Sequence, residues 1–103
     1  MQYAVYLLTC KDRAEAKKIA AELLAKKLAV CVKFTAVESM YMWRGELNDD
    51  SEELLIIESS AEKFDAITTL LDQIHSYDQY VLTMLDVGKT TPGVLGWLNE
   101  EMG

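Results

Sequence analysis

Basic residues are scarce in this sequence: ten Lys and Arg stand against 17 Asp and Glu, a net charge of −7. Nucleic-acid affinity comes mostly from phosphate neutralisation by Lys and Arg. No basic tract is longer than the two residues of Lys26-Lys27, so a DNA or RNA partner is not expected. One proline and five glycines leave no linker and no low-complexity stretch, and residues 1–103 read as one domain. Cys10 and Cys31 are the only cysteines, too few for a disulfide framework. No apolar run approaches the roughly 20 residues that a membrane-spanning helix needs. Met1-Gln2-Tyr3 offers neither a charged leader region nor a small-residue cleavage site, so the cytoplasm is the expected compartment. His75 is the sole histidine, and no Cys-x-x-Cys, His-x-x-x-His or Met-x-x-Met pair occurs. Any metal centre must therefore be assembled by the fold or by several chains.

What is present is strong periodicity. Tyr3 to Thr9 is rich in aromatic and β-branched residues and predicts a buried strand. Asp12 follows as a helix N-cap, with Glu15 three residues on able to reach back. The spacing of Ala16, Ile19, Ala20, Leu23, Leu24 and Leu28 predicts one apolar helix face. From Ala29 the period changes to two and a strand-like pattern runs on to Trp43. Arg44 to Asp50 reads as turn material, and Leu54-Leu55-Ile56-Ile57 as a central strand. Ser59 or Ser60 caps a second helix, with Phe64, Ile67, Leu71 and Ile74 on its buried side. Tyr80 to Val87 is the expected fourth strand. Thr91, followed by Pro92 at a first helical position, opens a closing helix with Val94, Leu95, Trp97 and Leu98.

The order is β-α-β-β-α-β plus a terminal helix. It predicts an α+β, ferredoxin-like βαββαβ sandwich, with helices on one face of the sheet and an extended hairpin between the second and third strands. A single strand from Ala29 to Trp43 would span about 50 Å at ~3.3 Å per residue, and the first strand cannot pair along all of it. An unpaired apolar edge needs a cover. Met40, Tyr41, Met42 and Trp43 at its tip are residue types that favour interfaces. Either a second copy of the chain covers the overhang, or a bend near Thr35-Ala36 folds the strand over its own core.

Read together, these residues resemble the CutA divalent-cation-tolerance family. Ala29-Val30-Cys31-Val32 resembles its Ala-x-Cys-Val, and Ser39-Met40-Tyr41-Met42-Trp43-Arg44-Gly45 its Ser-x-Tyr-x-Trp-x-Gly hairpin. Phe64 with His75-Ser76-Tyr77 resembles Phe-x₁₀-His-(Pro/Ser)-Tyr, Leu95-Gly96-Trp97-Leu98 the terminal motif, and Glu52 its glutamate opening strand three. The resemblance implies a tight homotrimer with hairpins shared between neighbours, a role in tolerance of metal ions such as copper, and no settled enzymatic chemistry. It also implies a pocket between subunits, to which Lys33, Glu58, Tyr77 and Trp97 are assigned. Departures fall at these polar positions. Lys33 stands for an asparagine, Glu58 for a lysine, Tyr80-Val81 for Pro-Glu, and Val94 for a tyrosine.

Copper favours thiolate, thioether and imidazole donors, which makes Cys10, Cys31 and His75 the candidate ligands, with Glu52 as a carboxylate. Cys31 in an apolar strand is equally a small hydrophobe. Cys10, at the lip of a loop, is expected to be exposed and to approach His75. The pair is either a metal site or a loop thiol beside a helix-ending histidine. Glu52 and Glu53, heading the third strand, serve a metal or bond a neighbouring subunit. Tyr41 and Trp43, with Met40 and Met42, are interface anchors or a stacking platform. Catalysis is not expected: Cys10 with His75 is the one candidate dyad, no Gly-rich turn follows Cys10, and Lys11-Asp12-Arg13 puts an acid where a phosphate would sit. Three functions stand: a trimeric metal-tolerance protein, a trimer that binds a small molecule in the manner of PII-type signalling proteins, and a purely structural module.

Overall fold

Strand β1 (Tyr3–Cys10) alternates half-buried and buried side chains along its whole length, and Ala4, Tyr6, Leu8 and Cys10 form its core side. A computed structural model describes all residues from Met1 to Gly103. Asp12 caps α1 (Arg13–Ala25), accepting the Glu15 N–H at 2.9 Å. Glu15 reaches back to the Lys11 N–H at 3.2 Å instead of the cap residue's own. Leu24 turns outward, contrary to the predicted apolar face, and Leu28 lies beyond the helix. The cause is an early stop. Lys27 takes φ 58° and the Leu28 N–H closes back on the Leu23 carbonyl at 2.9 Å, a left-handed C-terminal wrap that swings Leu28 against the core.

Strands β2 (Cys31–Trp43) and β3 (Glu46–Ser60) pair without a skipped residue from Cys31 opposite Glu58 to Trp43 opposite Glu46. No bend or bulge interrupts Thr35-Ala36. The turn is only Arg44-Gly45, with φ 51° and 79°, the two positive values that a two-residue hairpin of matching twist requires. Glu46 to Asp50 is thus strand, not turn. Their polar sequence reflects a ribbon whose two faces are both largely exposed, where the usual apolar alternation has nothing to encode.

The sheet order is β2-β3-β1-β4 (β4 is Leu82–Asp86), all antiparallel. β1 pairs only with Glu53 to Ser60 of β3. The overhang is therefore a two-stranded arm of seven pairs, Val37–Trp43 against Glu46–Glu52, about 23 Å long at ~3.3 Å per residue. It is not a lone strand beside β1, because β3 lies between them.

Neither Ser59 nor Ser60 caps a helix with its side chain. Both are buried in β3, and Ser59 Oγ donates to the Leu28 carbonyl at 2.6 Å. A single 3₁₀ turn, Ala61–Lys63, leads into α2 (Phe64–Ile74), which buries Ile67, Leu70 and Leu71 against α1 and the sheet. Phe64 stays at the rim, stacked on Tyr6 at 6.1 Å between centroids. β4 is shorter than expected, because β1 offers it partners only from Ala4 to Leu8. The last helix, α3 (Val94–Met102), starts after Gly93 at φ 95° rather than at Thr91-Pro92, and buries Leu98 and Met102.

Candidate functional site

Three consecutive residues after α2 hold the upper end of the molecule together. The His75 ring donates from Nε2 to the Thr9 carbonyl at 3.0 Å and accepts the Tyr77 N–H on Nδ1 at 3.0 Å. These two bonds fix the tautomer and use both ring nitrogens. Ser76 donates its N–H and hydroxyl to Glu15 at 2.7 and 2.8 Å. The Tyr77 hydroxyl donates to Glu52 Oε2 at 2.7 Å. Burial works to raise the Glu15 pKa, but the bonds from Ser76 and Lys11 outweigh it and hold the carboxyl below its ordinary range. Tyr77 is pushed the other way, first by burial and then by its bond to Glu52, so it remains a donor.

Cys10 is buried, contrary to expectation. Its position pairs with Glu53 on the core side of the sheet, and its sulfur faces the Asp12 carbonyl at 3.5 Å. Burial pushes the thiol up to about 11. It sits one residue from the carbonyl that holds His75, yet the two side chains do not engage each other. A nucleophile needs a thiolate and a free base, and this pair supplies neither.

Cys31 lies elsewhere. It pairs with Glu58 at the far end of β3, six residues from Glu52, roughly 20 Å along the strand. Lys33 Nζ reaches Cys31 Sγ at 3.3 Å and also pairs with Glu58, whose other oxygen accepts the Tyr3 hydroxyl at 2.7 Å. Burial opposes ionisation of Glu58, and the bonds from Lys33 and Tyr3 overcome it, leaving its pKa lowered; the same pairing raises that of Lys33. Tyr3 also borders a hollow of about 290 Å³ with Val87, Lys89, Thr90 and Leu95.

The predicted residues therefore fall into separate groups. Cys10, His75, Glu52 and Tyr77 belong to the arm's root. Cys31, Lys33 and Glu58 belong to the opposite end of the sheet, and Trp97 is half-exposed on α3. No three His, Cys, Asp or Glu side chains gather in a metal-holding group. With the Cys10 thiol buried and both His75 nitrogens engaged, a copper ion does not fit this set in one chain. At the tip, Tyr41 and Trp43 share one face by alternation, and Met40, Met42 and Leu47 the other. All five are between 40% and 68% exposed.

Sequence reasoning gave Arg13 and Ser76 no role in the site, and it set Glu53 beside Glu52 as a metal ligand or a bond to a neighbouring subunit. Glu53 is buried, paired with Arg13, whose guanidinium also lies 5.1 Å from the Phe34 ring centre. The signal available was parity: Glu53 alternates in step with Leu55 and Ile57, the core side of β3.

A four-stranded antiparallel sheet with α1 and α2 on one face, a projecting arm and a closing helix defines a ferredoxin-like sandwich with an extended central hairpin. The family model of the CutA1 divalent ion tolerance protein matches residues 4–101, and the chain belongs to that family. It is 34% identical over 99 residues to the divalent-cation tolerance protein CutA of Yersinia pestis (strain Pestoides F), covering 95% of this chain and 83% of that one. It is 33% identical over 94 residues to the protein CutA homolog of Xenopus laevis, covering 90% of this chain but spanning only 62% of that protein. Among solved structures, the periplasmic divalent cation tolerance protein CutA of Archaeoglobus fulgidus superposes with a TM-score of 0.96 at 26% identity, covering 99% and 100% of the two chains.

Proposed function

We propose that the chain works as a homotrimer in the cellular response to divalent metal ions, copper among them, mainly as a scaffold and with only weak contact to metal. The observation that carries this is the arm. A two-stranded ribbon alone is marginally stable in water, and this one has apolar residues exposed on both faces of its tip. A neighbouring copy seated on Met40, Tyr41, Met42 and Trp43 covers them, and a head-to-tail contact that closes makes a ring. Weak metal contact follows from the separation of the candidate donors. Cys31 is the less buried thiol, and it would meet further soft ligands only where chains adjoin. No helix is long and apolar enough to cross a membrane. A cytoplasmic location is part of the proposal, against the periplasmic description of the Archaeoglobus relative, and cell fractionation decides it.

Light scattering on the reduced protein, alone and with copper or zinc, tests the assembly. Copper titration of the parent and of Cys31→Ser tests the metal contact, which should be saturable in the parent and lost in the variant. The second reading is a PII-like trimer that binds a small molecule. It is favoured by one feature, the Tyr3-Glu58-Lys33 network beside the hollow at Lys89. An unchanged melting temperature across nucleotides and metabolites would remove it, since a ligand of the native state raises stability.

A further inference from the structure

The arm leaves the sheet at a defined point, and both faces of that point are held. β1 gives β3 its last partner at Cys10 opposite Glu53; Glu52, the next residue outward, has none on that side. Consecutive strand residues point to opposite faces, so Glu52 and Glu53 project one to each side. Arg13, the first residue of α1, pairs with Glu53 on the core face. Tyr77, from the loop between α2 and β4, bonds Glu52 on the other. Without these partners the ribbon would pivot about its last ladder bond, because two strands resist bending weakly.

Tyr77 is itself set in place. Its N–H is bound to His75 Nδ1, its ring lies 4.9 Å from the imidazole, and His75 is tied to the Thr9 carbonyl at the end of β1. Ser76, between them, is tied to Glu15 of α1. A continuous line of contacts thus runs from β1 through His75 and Tyr77 to the arm.

We propose that Tyr77 is the positioning residue of the assembly arm: oriented by His75, its hydroxyl locks Glu52 and so fixes the direction in which the arm meets a second copy of the chain. His75 is then part of a mechanical clasp and not a metal ligand. The inference rests on the assembly role proposed for the arm, but the clasp is measurable apart from assembly.

The test is native-state hydrogen exchange on the full chain, comparing the parent with Tyr77→Phe, Glu52→Ala and the double variant. Losing a bond to a carboxylate should speed exchange in residues 37–43 and 46–52 by roughly tenfold or more, with β1 and α2 unchanged. The double variant should be no faster than the faster single one, the sign of a shared interaction. Unchanged arm exchange in both single variants would overturn the proposal. So would uniform acceleration across the molecule, because Tyr77 would then serve general stability alone. Light scattering on the same samples separates the two readings. If the parent weighs as a monomer, the trimer is wrong, and the exchange comparison still decides the clasp.

Discussion

Tyr77 and Glu52 are 25 positions apart in sequence and 2.7 Å apart from hydroxyl to carboxylate, at the residue where β3 passes beyond β1. The bond joins the loop after α2 to the base of the one part of the molecule that projects from its core. It explains why His75 and Tyr77, which look like binding residues, are internally satisfied. His75 spends both nitrogens on backbone groups, and burial together with Glu52 keeps the Tyr77 phenol protonated.

The Glu15 carboxylate, nearly buried and bound to Ser76 and Lys11, makes stability sensitive to acid. Its folded pKa lies below the ordinary value. Its contribution is therefore complete above the unfolded carboxylate pKa of about 4.3 and is lost as pH falls through the lower folded one. Glu15→Gln should cost about 1–3 kcal/mol at neutral pH and flatten the acid limb of a melting-temperature profile. A variant whose acid limb matches the parent's would contradict this.

The turn at the arm's tip predicts opposite effects at adjacent residues. Arg44 at φ 51° is a side-chain-bearing residue in left-handed backbone, at a cost of about 1–2 kcal/mol. Gly45 at φ 79° has open space around a would-be Cβ, so the objection to a side chain there is backbone strain alone. Arg44→Asn should raise the unfolding free energy, and Gly45→Ala should lower it by about 1 kcal/mol. Denaturant titration reads both.

The Cys10 thiol should resist alkylation in the folded protein. It is buried, with its ionisation pushed up to about 11, and the thiolate is the reactive form. Peptide mapping after brief alkylation should find Cys10 unlabelled until denaturant is added. Labelling of Cys10 at the rate of an open thiol would refute its placement.

Much of the fold is legible in the sequence where one face of an element is dry. Leu55 and Ile57 mark β3, and Ala16, Ile19, Ala20 and Leu23 mark α1. The arm's return strand is not legible, because Glu46 to Asp50 has water on both faces and so carries no alternation. The burial of Cys10 was available from parity, since it continues the series Ala4, Tyr6 and Leu8, but its place before a loop argued for exposure. The clasp could not be read from spacing. Tyr77 meets Glu52 where β3, lying next to β1, runs on past its end; the predicted sandwich entails that strand order, but which loop side chain reaches that point is set by no local pattern.

The most direct test of the account is the mass of the reduced, metal-free protein by light scattering at micromolar concentration. The exposed tip of the arm predicts self-association, and the family resemblance sets the expected particle at three times the 11.6 kDa chain, with Trp43→Ala and Met42→Glu shifting it toward smaller species. A stable single-chain mass across that range would contradict the claim that the arm exists to be covered by a neighbour.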